Sequence, residues 1–233
     1  MTWRKRAFDI GFTILLAPAA LAVFMCLVVL LWWHDGRPLF YGSERMHRPG
    51  QPFTLWKFRT MRLAAKDSGV SGGDKSDRIT PFGRKLRRLR MDELPQFLNI
   101  LRGDISFVGP RPPLRQYVER FPELYARVLR SRPGVTGLAS LVFARHEEAI
   151  LRRCTSAQET DEVYARRCVP RKARIDLLYQ NRAGLGLDLW IIALTVARSA
   201  GWARGRRLPR RRPTRRQPRL QPLPCDRGAQ IRE

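Results

Sequence analysis

Residues Ile10 to Trp33 run for 24 positions without a charged side chain. A helix of that length covers a bilayer core of ~30 Å. The run is too long for a signal peptide, and no small-residue cleavage site follows it. It reads as a membrane segment, so the rest of the chain must fold at a membrane surface. Basic residues flank both ends: Arg4, Lys5 and Arg6 before, Arg37, Arg45 and Arg48 after. The positive-inside rule assigns both flanks to the cytoplasmic side. Pro18 lacks the N–H that a continuous helix uses, so it can break the run. Two readings stay open on these residues. One is a single spanning helix; the other enters, bends at Ala17-Pro18 and returns. Trp3, Trp32 and Trp33 suit interfacial anchoring in either case.

Downstream, His34 to Gly50 reads as a turn-rich link. Phe53 to Met61 alternates and is rich in aromatic and β-prone residues, which predicts a short strand. Lys66 to Asp77 reads as a mobile polar loop. Phe82 to Arg90 is a basic helix candidate. Leu94, Phe97, Leu98 and Leu101 form one apolar stripe, predicting a helix over Leu94–Arg102. Asp92 is placed to cap that helix, and Gly103 to stop it. Residues 109–113 and 132–137 read as a rigid turn and a loop. Leu114–Leu129, Glu147–Arg167 and Val169–Tyr179 read as helices. Leu187–Ala200 reads as an apolar helix too short to span, lying in the core or on the membrane surface.

The formal net charge of +25 points to an anionic partner: nucleic acid, an anionic leaflet or a phosphorylated substrate. Much of it lies in the Arg/Pro-rich tail, residues 201–233. That tail cannot bury a core and is expected to be disordered, adhering to lipid headgroups at ~1 kcal/mol per basic residue. The cysteines, Cys26, Cys154, Cys168 and Cys225, form no CxxC pair, so neither a zinc site nor a redox motif is supported.

The densest chemistry lies at Asp92 and Glu93, which follow Arg84, Lys85, Arg87, Arg88 and Arg90. Adjacent helical residues point about 100° apart, so the two carboxylates cannot aim at one atom along the same line. They can divide the work, one attacking and the other holding a metal. At a helix N-terminus among guanidinium groups, Asp92 is expected to be held ionised, as a nucleophile must be. The same field would bind a diphosphate. Glu93 offers Mg²⁺ a hard oxygen, the remaining ligands being substrate phosphates. An Asp-Glu pair at a helix start is more commonly just a cap.

The order of motifs tips this balance. Lys5-Arg6-Ala-Phe-Asp9 with Pro18, Lys57-Phe-Arg-Thr-Met61, Arg78-Ile-Thr80, Gly83, Leu86-Arg87 and Asp92-Glu-Leu-Pro-Gln96 come first. Asn99, Gly103-Asp104, Ser106, Val108-Gly-Pro-Arg-Pro112, Arg132-Pro-Gly-Val-Thr-Gly-Leu138, Asp176, Tyr179 and Leu187-Asp188 follow. Together these resemble the monotopic phosphoglycosyl transferases, the bacterial sugar transferases that include undecaprenyl-phosphate sugar phosphotransferases. The resemblance implies a two-step reaction. Asp92 would attack the sugar-bearing phosphate of a UDP-sugar and release UMP, and polyprenyl phosphate would take the sugar phosphate from the aspartyl intermediate. It implies Glu93 as Mg²⁺ ligand and Arg87 and Arg111 as phosphate holders, assisted by Lys57 and Arg59. It favours the re-entrant hairpin bent at Pro18.

The fold class so expected is mainly α with a short β element. Residues 1–34 would form the re-entrant helix hairpin, with amphipathic surface helices and a small cytosolic catalytic domain over 35–200. The location would be the bacterial inner membrane, facing the cytoplasm. Partners would be UDP-sugar, polyprenyl phosphate and anionic lipids, with no nucleic acid; the sequence leaves the oligomeric state open, a homodimer included. Three positions depart from the family pattern. Ser43 and His47 stand where Gln and Gly are common, and Ala17 precedes the proline where Ser is frequent. The competing reading is a membrane-tethered nucleic-acid or lipid adaptor. It needs stacking aromatics in the basic stretches, and the tail holds only Trp202.

Overall fold

The computed structural model describes residues 2–63 and 77–200, all within one compact unit, Met1–Ala203. Most of the expected loop Lys66–Asp77 and the tail 201–233 therefore lie outside the described residues. Helix α1 covers Trp3–Asp35, and the hairpin β1 (Phe40–Arg48) and β2 (Gln51–Phe58) follows. Helix α2 (Pro81–Leu89), a 3-10 turn over Met91–Glu93 and α3 (Gln96–Arg102) carry the basic and acidic run. Strand β3 (Ser106–Val108) precedes α4 (Arg115–Arg120) and α5 (Pro122–Val128). Strand β4 (Gly134–Thr136) leads into α6 (Leu138–Leu151), α7 (Ala157–Val163), a π-helical turn Tyr164–Cys168, α8 (Val169–Asn181) and α9 (Leu185–Ser199).

The fold is mainly helical, as expected, with more strand than the sequence suggested. The link His34–Gly50 contains a whole strand: β1 pairs antiparallel with β2 from Phe40↔Phe58 to Arg48↔Gln51. Pro49-Gly50 makes the turn, with Gly50 at φ 74°. The loop Arg132–Gly137 contains β4, which pairs parallel with β3. The expected helix Leu114–Leu129 is two helices, because Pro122 cannot donate to a continuing ladder and instead starts α5. Glu147–Arg167 is likewise divided among α6, α7 and the π turn.

Helix α1 runs through Pro18 without a loop, so the proline does not divide it into two separate helices. Both of its halves dock on the same body. At the start, Lys5 Nζ donates to Asp188 Oδ2 at 2.5 Å and to Tyr179 Oη at 3.1 Å, and Tyr179 Oη donates to Asp188 Oδ1 at 2.5 Å. Arg6 donates to the carbonyls of Ile100 and Leu101, satisfying the C-terminal end of α3. The buried Asp9 accepts from Ser106 Oγ and from the Phe107 amide. Toward the other end, Phe24 packs on Phe58 with ring centroids 5.1 Å apart, and Leu27 and Leu31 join Phe58 and Leu86 in one buried cluster. The middle is bare: Ile14, Leu15 and Leu21 are all exposed. A single long, apolar helix with docked ends and an unpartnered centre suits burial in lipid. It is long and apolar enough to cross a membrane.

Two further clusters complete the core. Met46, Tyr117, Tyr125, Val128, Phe143, Tyr164 and Val169 fill the space among β1 and α4–α8. Leu55, Ile100, Ile105, Phe107, Leu141, Tyr179 and Ile191 join the sheets to α3, α6 and α9. Glycines set the crossing of β3 and β4. A Cβ on Gly109 would stand 2.2 Å from the Arg132 carbonyl oxygen, and one on Gly137 would stand 2.1 Å from that of Gly109. Only hydrogen fits there, so these glycines are needed for close backbone approach.

Asp176 on α8 is buried, and its Oδ1 has no hydrogen-bond partner. Burial raises its pKa to about 7, against which Lys172 and the Ala139 amide pull weakly. An acid whose folded pKa is raised loses stability as pH climbs from its unfolded value of ~4 to about 7, because the ionised form is disfavoured in the fold. Asp176→Asn keeps an oxygen for the Ala139 amide and removes the charge. The expected result is a stabilisation on the order of 2 kcal/mol at pH 8, much smaller at pH 5, read from denaturation at both pH values.

Candidate active site

The chain reaches the acidic pair through a left-handed residue. Arg90, at φ 58°, ends α2 and starts the 3-10 turn. A non-glycine residue there is uncommon and held by its surroundings. The Arg90 guanidinium bonds Glu93 Oε2 from Nη2 at 2.9 Å and Nε at 3.2 Å, which fixes that geometry. Asp92 therefore lies in the 3-10 turn, and α3 starts only at Gln96 behind Pro95. The expectation that Asp92 caps the helix is corrected: no side-chain cap is made at that end.

The two carboxylates have different surroundings. Glu93 is ringed by cations: Arg90, then Arg111 Nη1 at 3.4 Å and Lys57 Nζ at 3.7 Å from Oε1. Burial pushes its pKa up, and Arg90, Lys57 and Arg111 outweigh that to leave it at about 2. Among the described residues, no side chain hydrogen-bonds or ion-pairs with Asp92, though it too is buried. Burial first and the Glu93 charge second push its pKa up, opposed by Lys57, Arg87 and Arg111. This reverses the expectation that its neighbours hold Asp92 ionised below the normal range. In the folded chain desolvation and the adjacent carboxylate win, so the cations serve Glu93 first.

Lys57, on β2, is pushed down to about 8 by burial and by Arg111, with Glu93 and Asp92 acting the other way. Arg87, on α2, donates from Nε to Thr60 Oγ1 at 2.8 Å. Arg111 comes from the Pro-rich turn after β3. That turn is held by Arg45, which donates to the Pro112 carbonyl, and by the Met46 amide, which donates to that of Pro113. Three separate segments thus supply Lys57, Arg87 and Arg111 around one acidic pair. Arg45 was not foreseen as part of this frame; the sequence marked it only as a basic flank of the membrane segment, in a link read as turns.

Arg59 is not brought to the site. Its guanidinium donates to the carbonyls of Asp35, Gly36 and Arg37 at the end of α1. Two residues along a strand from Lys57 should share its face, but β2 ends at Phe58. Arg59→Ala is expected to loosen the α1–β1 junction and lower Tm while leaving substrate KM unchanged within about twofold, read by thermal denaturation and steady-state kinetics. Pro18 lies inside α1, away from these side chains.

No three side chains of His, Cys, Asp or Glu cluster as a ready metal cage among the described residues. The donors present suit Mg²⁺ of another kind, held by one or two carboxylates plus substrate phosphates. Of the acidic pair, Glu93, firmly anionic, is the carboxylate that could hold such an ion.

Residues 1–201 match the bacterial sugar transferase family. The chain belongs to that family. It is 33% identical over 196 residues to the sugar transferase EpsL of Bacillus subtilis (strain 168), covering 83% of this chain and 86% of that one. It is 34% identical over 166 residues to the UDP-glucose:undecaprenyl-phosphate glucose-1-phosphate transferase of Escherichia coli (strain K12), covering 70% of this chain and 36% of that one. To the undecaprenyl-phosphate galactose phosphotransferase of Salmonella typhimurium the figures are 37% over 153 residues, covering 58% and 31%. This sugar transferase thus corresponds to about a third of the length of the latter two.

Proposed function

We propose that this sugar transferase moves a sugar 1-phosphate from a UDP-sugar to a polyprenyl phosphate, of which undecaprenyl phosphate is the bacterial example. The observation that carries the reading is the contrast within the acidic pair. Glu93 is ion-paired to three cations, while Asp92 stands near Lys57, Arg87 and Arg111 with no side-chain hydrogen bond or ion pair among the described residues. A carboxylate so placed next to a phosphate-binding cradle can attack phosphorus.

In the first step an Asp92 oxygen attacks the sugar-bearing phosphorus. The bond from that phosphorus to the bridging oxygen breaks, and UMP leaves with the electron pair. Lys57, Arg87 and Arg111 hold the diphosphate oxygens and offset the negative charge that gathers on the leaving phosphate. Binding that dianion brings more negative charge among the cations, so they are shared with the substrate when it arrives. In the second step a phosphate oxygen of the polyprenyl phosphate attacks the same phosphorus, and Asp92 leaves as a carboxylate. Mg²⁺ would be held by Glu93 together with the diphosphate, and would supply further neutralisation of the leaving group.

The acceptor is a lipid, and α1 fits that need. Its two docked ends and bare apolar centre support a re-entrant insertion from one face of the membrane, bending near Pro18, with 35–200 as a cytoplasmic catalytic domain at the inner membrane. Such a placement sets the acidic pair near headgroup depth, where the acceptor phosphate lies. The proposed use is the first membrane step of exopolysaccharide, O-antigen or glycoprotein glycan assembly. The test is UMP release by the purified protein in lipid, with Mg²⁺, polyprenyl phosphate and a panel of UDP-sugars. Turnover with at least one donor supports the reading; none with any, while UDP-sugars still bind, contradicts it.

A further inference from the structure

A polar cluster that the transfer step does not use is built from α6, the π turn and α8. Lys172 on α8 is buried, and its Nζ lies 3.0 Å from each oxygen of Glu147 on α6. The same nitrogen donates to Tyr164 Oη at 3.1 Å, and it also stands 5.1 Å from the centre of the Tyr164 ring. Tyr164 opens the π turn. In a regular helix, residues eight apart differ by ~80° in direction beyond two full turns. A π turn absorbs one extra residue, so eight steps rotate about as far as seven, ~700°, and Tyr164 and Lys172 come onto one face. The irregular turn is thus what brings the phenol to the ammonium.

The cluster borders the phosphate cradle. Pro112 and Pro113 follow Arg111 and are tied to Arg45 and Met46, and Met46 shares its apolar cluster with Tyr164. Glu147 and Tyr164 are near enough that, after burial itself and Glu93, they are the strongest influences on Arg111. Tyr164 accepts from Lys172, so its own proton remains to be donated. Glu147 has its side chain 22% exposed, and each carboxylate oxygen has lone pairs beyond the one facing Lys172. A carboxylate, a phenol and an ammonium converging at one edge of a diphosphate site can both accept from and donate to the hydroxyl pair of a sugar ring. Lys172, fully engaged and deep, orients the other two.

We propose that Glu147 and Tyr164, oriented by Lys172, bind a vicinal diol of the donor, either on the transferred sugar or on the ribose. This rests on the proposed UDP-sugar reaction. It assigns the α6–π turn–α8 wall to the water-soluble donor.

Glu147→Gln keeps a hydrogen bond to Lys172 and weakens the diol acceptor. Tyr164→Phe keeps the ring and removes only the hydroxyl. The wild-type enzyme, turning over its productive UDP-sugar, is the reference; if it has no turnover, the reaction assignment itself is at fault. With the wild type active, each variant is measured for donor KM and kcat, and for inhibition by UMP and by pyrophosphate, which has no hydroxyls. Donor KM is expected to rise about tenfold with kcat changed far less, since a lost hydroxyl contact acts on binding. Unchanged UMP inhibition then places the diol on the transferred sugar, and UMP inhibition weakened by the same factor places it on the ribose. Wild-type donor KM in both variants overturns the proposal. Weakened pyrophosphate inhibition also overturns it, because Arg111 would then have been disturbed and the cluster would be a support for the cradle.

Discussion

Asp92→Asn is expected to fold normally and to lose UMP release by on the order of 10³-fold or more, because a carboxamide is a poor nucleophile. The fold gives little reason for it to unfold. Among the described residues no side chain is bonded to Asp92, and burial and Glu93 already push its pKa up. Removing that charge relieves the burial cost, so Tm should hold or rise slightly. The combination of intact stability, retained UDP-sugar binding and lost turnover is the signature to look for. A side chain that served only to compensate charge would show the reverse: altered Tm and preserved turnover.

Glu93→Gln should behave differently, and the contrast tests the division of labour. Glu93 is the common partner of Arg90, Lys57 and Arg111. Its loss leaves those cations facing one another, at a cost of about 2 kcal/mol or more for the buried part of the network. The share through Arg111 is small, because 38% of that side chain is exposed. A carboxylate whose folded pKa is lowered to about 2 contributes stability above its unfolded value of ~4.5, and that contribution fades as pH falls toward 2. The stability difference between wild type and Glu93→Gln should therefore be full at pH 7 and shrink below pH 4. Turnover should fall by about 10²-fold or more, since the ligand proposed for Mg²⁺ is gone. Without Mg²⁺, UMP should bind Glu93→Gln more tightly than wild type, because a negative charge has left the cradle. Thermal denaturation across pH and calorimetric titration with UMP check these points.

The acidic pair stood out in the sequence as two carboxylates after a basic run, but its catalytic reading, and the choice of Arg87, Arg111 and Lys57 beside it, came only from the resemblance. Their meeting was not legible, since it depends on contacts between β2, α2 and the turn after β3. Arg59 was drawn in by its closeness to Lys57 in sequence, yet strand β2 ends between them and Arg59 turns to the end of α1. Strand β1 was hidden because the link that holds it carries Gly36, Pro38, Gly42, Pro49 and Gly50, and only its pairing with β2 shows which of these make turns. The membrane segment was the clearest signal, and its docked ends add what charge counting could not: both halves meet one body. Asp92 shows the limit of local electrostatic reasoning. Counting nearby arginines predicted a lowered pKa, whereas burial beside Glu93 reverses the sign. The π turn at Tyr164–Cys168 had no sequence signature at all.

The central claim is that the Asp92 carboxylate forms a bond to phosphorus. The direct measurement is mass spectrometry of the protein mixed with its UDP-sugar and Mg²⁺ in the absence of polyprenyl phosphate. The account predicts UMP release in amounts no greater than the enzyme present, and a peptide containing Asp92 heavier by one phosphosugar, an adduct lost when the lipid phosphate is added. An active enzyme that releases UMP only when the acceptor is present, with no adduct on that peptide, would mean direct transfer and would contradict the account.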